Sequence, residues 1–370
     1  MRQIRANVSY GERHRRGVES RSGVPESRVP ASPAAALPRL AAAALAVLAI
    51  AAVWYPGHAQ EGGPPDSSHM VPLFPAANDA VRQGFVRVVN HSGRAGEVEI
   101  RATDDDGTHF GPTTLAVEAR ETIHFNSTDL EVGNETKGLP DGIGSGVGNW
   151  RLDLRSGLDI EALSYIRTPA DGFLTSMHDL VAAGEDGRHR VATFNPAGNV
   201  DQVSRLRLIN PGDEAAQVTV EGIDGEGASG TGVVRFAVPA YAARTLDAED
   251  LESGSAGLDG ALGDGAGKWR LVVGADRPIH VMSLLSSPTR HLTNLSTAPA
   301  NVDGGVHTVP FFPAASNALG RQGFVRVINH SDAAGEVAIG AFDDSERDYG
   351  ISTLALDTGQ TAHFNSDDLE

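Results

Sequence analysis

Apolar and polar residues alternate along short stretches of this chain. Val86, Val88 and Asn90 interleave with Phe85, Arg87 and Val89, and further on Leu206, Leu208 and Asn210 interleave with Arg205, Arg207 and Ile209. A period of two with arginine on one side predicts a strand buried on one face. Val98, Ile100 and Ala102 alternate in the same way with Glu97, Glu99 and Arg101, and Trp150, Leu152 and Leu154 with Arg151, Asp153 and Arg155. The stretches VPLF, FVRVVN, EVEIRAT, TTLAVEA, TIHFN, WRLDL, IEALSYI and FLTSM read as short strands between Gly, Asp and Asn turns. About seven or eight strands at this spacing predict an antiparallel β-sandwich. Trp150 and its counterpart Trp269 head their strands as core anchors, with Val86, Val88, Leu206, Leu208, Val325 and Val327 on buried faces. One helical turn interrupts the strands: Asn126, Asp247 and Asn365 each precede an acid by three residues (Asp129, Asp250, Asp368), a variant capping box. Leu130, Leu251 and Leu369 would plug that turn onto the sheet.

The pattern repeats. Residues 84–131 and 323–370 align without a gap, 28 of 48 positions being identical, and a more divergent copy between them makes Asn90, Asn210 and Asn329 equivalent. Each copy is introduced by a His-x-Val and a Phe: His69, Val71 and Phe74; His189, Val191 and Phe194; His307, Val309 and Phe312. The second half of the unit also recurs, GLPDGIGSGVGNWRLDL from Gly138 matching GLDGALGDGAGKWRLVV from Gly257. Self-similarity at so long a period predicts tandem domains. The expected organisation is an Arg-rich arm and signal peptide over 1–59, a linker over 60–68, sandwich repeats over 69–184 and 185–300, and an incomplete third repeat over 301–370. The third copy has no Trp half, so either the natural protein is longer or its last unit is incomplete. An incomplete sandwich has open strand edges and would associate with another chain.

The start of the chain has a different character. Residues 40–53 read LAAAALAVLAIAAV, after a stretch in which eight Arg face three Glu and before the small residues Gly57-His58-Ala59. This is signal-peptide grammar; the rival, an uncleaved anchor, would want about 20 apolar residues. The expected mature chain begins near Gln60 and is exported to the periplasm, cell surface or medium, touching membrane only through that segment if it is kept. The net charge is −18, and the body beyond residue 59 is more acidic still, which excludes nucleic acid and anionic lipid as partners. No cysteine is present, so thiolate metal sites and cysteine nucleophiles are excluded and stability rests on packed cores.

Candidate chemistry is sparse. Asp104, Asp105 and Asp106, with Asp343 and Asp344 in the third copy, cluster carboxylates as a calcium site would, but Asp and Gly are also what strand turns prefer, and the EF-hand spacing fails. Calcium is therefore the only cofactor considered, and the turn is the stronger reading. The Gly-rich loops at 142–148 and 260–267 fail the phosphate-loop pattern, with Leu262 and Trp269 at its fixed positions. The recurring His69, His189 and His307 lie in separate copies and read as residues of the leading strands rather than ligands. There is no Gly-x-Ser-x-Gly elbow and no His-Glu-x-x-His helix, so no enzyme is expected.

The phrases FVRVVNHSGRAGEVEI, TIHFNSTDLE, GNWRLDLRSGLDIEALSYIRT and GFLTSMHDL resemble a repeat of secreted and surface proteins of Gram-negative bacteria, sometimes found beside protease or other hydrolase domains. The resemblance spans residues 71–370 and implies an immunoglobulin-like sandwich with no activity that attaches to named residues. The function expected is that of an exported structural or binding module presenting a surface to an unknown protein or glycan. The alternative is the accessory part of a secreted hydrolase whose catalytic domain is not in this chain.

Overall fold

The computed structural model describes residues 2–9, 67–297, 306–316 and 320–370. Within them the chain is all-β, built of antiparallel sheets with three short helices and one 3-10 turn. The predicted signal segment at 40–53 lies outside the described residues. One element falls inside the Arg-rich arm, where only a signal leader was expected: strand β1 (Arg2–Ser9), which belongs with the third pair of sheets.

The first pair comprises β2 (Ser67–Phe74), β3 (Gln83–Asn90), β4 (Gly96–Thr103), β5 (His109–Val117), β6 (Thr122–Asn126), β7 (Trp150–Ser156), β8 (Ile160–Arg167) and β9 (Leu174–Ser176). Two four-stranded sheets result, β2-β7-β4-β5 and β6-β3-β8-β9. The alternation read from the sequence is what closes them: Val86, Val88, Val98, Ile100, Leu152 and Leu154 all turn inward to 0% exposure, around Trp150. The second pair repeats this order with β10 (His189–Phe194), β11 (Val203–Ile209), β12 (Ala216–Ile223), β13 (Val234–Val238), β14 (Ala243–Asp247), β15 (Trp269–Ala275), β16 (His280–Ser286) and β17 (Leu292–Asn294). Its sheets are β10-β15-β12-β13 and β14-β11-β16-β17, closing over Leu206, Leu208 and Trp269.

Between the fifth strand of each pair and its Trp strand lies a short helix: α1 (Ser127–Val132) and α2 (Ala248–Ser253). Asn126 and Asp247 accept the amides of Asp129 and Asp250, whose carboxylates in turn take the amides of the capping residues. Leu130 and Leu251 are thereby pressed into the cores at 0% exposure. The Gly-rich loops that follow exist for packing: a Cβ on Gly146 or Gly265 would stand 2.4 Å from the indole of Trp150 or Trp269, so only bare backbone can lie across those rings.

A side-chain amide holds each first hairpin, buried in the first two pairs and half-buried in the third. Asn210, fully buried, donates through Nδ2 to the carbonyls of Glu214, Val238 and Pro239, and its Oδ1 accepts the Gly212 amide at 2.9 Å. Asn90 and Asn329 repeat the bonds to the loop carbonyls. Replacing Asn210 with alanine leaves these carbonyls without their shared donor, and we expect a loss of about 1 to 3 kcal/mol in urea unfolding. A loss under 0.5 kcal/mol would remove the structural role assigned to it.

The third pair is thinner. It holds β18 (Val306–Phe312), β19 (Phe324–Ile328), β20 (Gly335–Phe342), β21 (Asp348–Leu356), β22 (Thr361–Asn365) and α3 (Ser366–Leu369). One sheet is four-stranded, β18-β1-β20-β21, but the other is only β19-β22 among the described residues. Val325 and Val327, placed in the core from the sequence, are only half-buried here. The difference has a plain cause: among the described residues, the β8 and β16 strands that pair beside β3 and β11 have no counterpart beside β19.

Candidate functional site

The feature that sets the third pair apart is the strand slot between β18 and β20. In the first pair that slot holds β7, which runs antiparallel to both neighbours with Trp150 opposite Phe74, Leu152 opposite Val71 and Ala102, and Leu154 opposite His69 and Ile100. In the second pair β15 does the same, with Trp269 opposite Phe194 and Leu271 opposite Val191 and Gly222. In the third pair β1 lies there in the same register: Arg2 opposite Phe312, Ile4 opposite Val309 and Ala341, Ala6 opposite His307 and Ile339. Even the irregularity between the Val and Phe of the leading strand is reproduced. A strand from the far end of the chain thus stands in for a Trp strand, with Arg2 at the Trp position.

The glutamate that closes each capped turn recurs in all three pairs. Glu131 Oε1 takes the Trp150 indole N–H at 2.9 Å and the Ala77 amide at 2.7 Å; Glu252 Oε1 takes the Trp269 N–H at 2.7 Å and the Ala197 amide at 3.2 Å. Glu370, the equivalent residue, accepts the Ala315 amide at 3.0 Å, the same half of the bridge. The core of the third pair reduces to Phe312, Val337, Ile339 and Leu356 among the described residues, while Val306, Phe311, Phe324, Tyr349 and Ile351 are 46 to 74% exposed. Without β1 the facing edges of β18 and β20 would be unpaired, and an unpaired edge is a template for an added strand.

Of the acids clustered as a calcium site would be, Asp104, Asp105 and Asp343 are engaged by other groups. Asp104 closes its turn by accepting the amides of Asp106, Thr108 and Val147. Asp105 accepts from Asn149 and forms an ion pair with Arg207 of the second pair at 2.8 Å. Asp106 and Asp344 are exposed. Asp343 takes the amides of Ser345 and Arg347 and the Tyr349 hydroxyl, bonds that hold its carboxyl below the usual range. No group of three or more metal-binding side chains comes together among the described residues. His69 and His189 each hydrogen-bond a carbonyl at 2.8 Å, of Ile160 and Val181, tying the leading strands down.

Sequence reasoning missed three things. The glutamates that receive the indoles were legible, since Leu-Glu ends every capped turn at Glu131, Glu252 and Glu370. The Asp105–Arg207 pair spans 102 residues and had no local signal. The strand in the Arg-rich arm was hidden by its own arginines, although Ile4, Ala6 and Val8 alternate in it.

Compared with known proteins, the chain matches no family model and no curated protein.

Proposed function

We propose that the chain is an exported, non-catalytic repeat protein of the cell envelope or extracellular space. In this reading its units are tandem immunoglobulin-like sandwiches of the kind its phrases resemble in secreted Gram-negative proteins. The first two units serve as spacers with complete cores, and the third presents the interaction surface, recognising a protein that lends it a strand. One observation carries this: the slot between β18 and β20 is filled by a strand from outside the unit, in the register of a Trp strand but without the Trp. Strand addition gives affinity through main-chain hydrogen bonds and specificity through alternate side chains. A donor with Trp at the Arg2 position and apolar residues two and four places on would reproduce in this slot the pattern of the first two Trp strands.

The test uses the chain from Gln60 onward, the form signal cleavage would leave, and a peptide of residues 148–167, which carries the first Trp strand. Saturable uptake with slowed amide exchange at Val337, Ile339 and Ala341 is expected, and a scrambled peptide should do nothing. No uptake, or equal uptake of the scrambled peptide, sinks the strand-acceptor reading. A shift to dimers without peptide, seen by light scattering, would instead assign the slot to a second copy.

A further inference from the structure

The seam between the first two sheet pairs is balanced in charge. Asp105 lies 2.8 Å from Arg207, and Asp153 lies 3.5 Å from Arg151. The seam recurs between the second and third pairs, where the Thr361 amide donates to Gly225 O at 3.0 Å just as the Ala243 amide donates to Asp105 O at 3.0 Å. Its charges do not recur. Gly225 and Val272 occupy the places of Asp105 and Asp153, Arg270 and Arg326 keep both guanidinium groups, and Lys268 replaces Asn149.

The cations are held close. Arg326 Nη2 donates to Lys268 O at 3.1 Å, Lys268 Nζ lies 3.2 Å from His363 Nε2, and Arg270 Nη2 donates to Gly359 O. Among the described residues the Nε atoms of Arg270 and Arg326 are buried without a hydrogen-bond partner, as is Arg151 Nε in the first seam, but Arg151 Nε has the Asp153 carboxylate 3.5 Å away. Burial and the neighbouring Arg270 hold Arg326 down to about 10, and burial followed by Arg326 lowers Lys268. Burial lowers Arg270 too, against the pull of Asp224. Asp224 is already committed to the amides of Glu226, Ala228 and Ala266, and Asp368, which faces His363, takes the Asn365 amide. Buried positive charge without a counter-ion is costly, and most so where its donors are unmet.

We propose that the seam between the second and third sheet pairs binds a small free oxyanion of the phosphate class, gripped by Arg270, Arg326 and Lys268. The anion takes up the role that the Asp105 carboxylate plays inside the first seam. Two guanidinium groups and an ammonium suit a tetrahedral oxyanion, which accepts several charge-assisted bonds at once. The acidic surface of a chain of net charge −18 favours a small anion over a charged bilayer, which it would repel.

The test is titration of the full chain with inorganic phosphate at constant ionic strength, followed by 31P line broadening and by melting temperature. Saturable binding is expected, weakened about tenfold or more in Lys268→Asn with Arg326→Gln, as loss of charge-assisted bonds implies. Val272→Asp, which restores the carboxylate of the first seam, should raise the melting temperature in the absence of phosphate and blunt the response to it. No binding, or an equal response in wild type and all variants, overturns the proposal. Binding to phosphatidylglycerol vesicles but not to inorganic phosphate overturns it as well, assigning the seam to a lipid headgroup.

Discussion

Replacing Trp269 with alanine lowers the stability of the second sheet pair by about 3 to 5 kcal/mol, the usual loss for a buried large aromatic. Trp269 is 1% exposed and central to its core. The loss is compounded on two sides. The Glu252 carboxylate loses the indole donor at 2.7 Å, and the bare backbone at Gly265, packed on the indole, faces a cavity that it has no side chain to fill. Differential scanning calorimetry should resolve an early transition for the second pair. An unchanged melting profile would remove Trp269 as the anchor. Tryptophan at the Arg2 position is the converse experiment, expected to strengthen the third pair in the full chain.

Replacing Asp105 with alanine should cost about 3 kcal/mol, the lower end of what breaking a buried ion pair costs. The remaining partner is the reason. Arg207 is 1% exposed, with its other donors directed to Pro72 O at 3.2 Å and Thr245 Oγ1 at 3.4 Å, so its charge would be stranded between two sheet pairs. Asp105, 22% exposed, reaches water more easily, so Arg207→Met should be milder than Asp105→Ala. In a double-mutant cycle read by urea unfolding, adding Arg207→Met to Asp105→Ala should recover much of the loss. Strict additivity of the two would show that the pair carries no coupling.

Much of the fold is legible in the sequence because its determinants are local. The alternation of Val86, Val88, Leu206 and Leu208 selects the buried face of each strand, and the capping boxes at Asn126, Asp247 and Asn365 place a helical turn in each unit. Val325 and Val327 show the limit: their pattern matches that of Val86 and Val88, yet they stay half-buried, since burial depends on a neighbouring strand rather than on the strand itself. The acidic turns show the same limit. Asp104 could be read as a turn from its own neighbours, but nothing near Asp105 reveals that its partner is Arg207.

The sequence by itself determined most of the strands and their buried faces, the Trp anchors and the recurrence of the unit, all properties of neighbouring residues and of a repeating period. Only the tertiary structure decided what lies between units: which carboxylate meets Arg207, why Arg270 and Arg326 meet none among the described residues, and which strand enters the slot beside β20. Those outcomes depend on residues far apart in the chain being brought within a few ångströms, and no periodicity along the sequence encodes that distance.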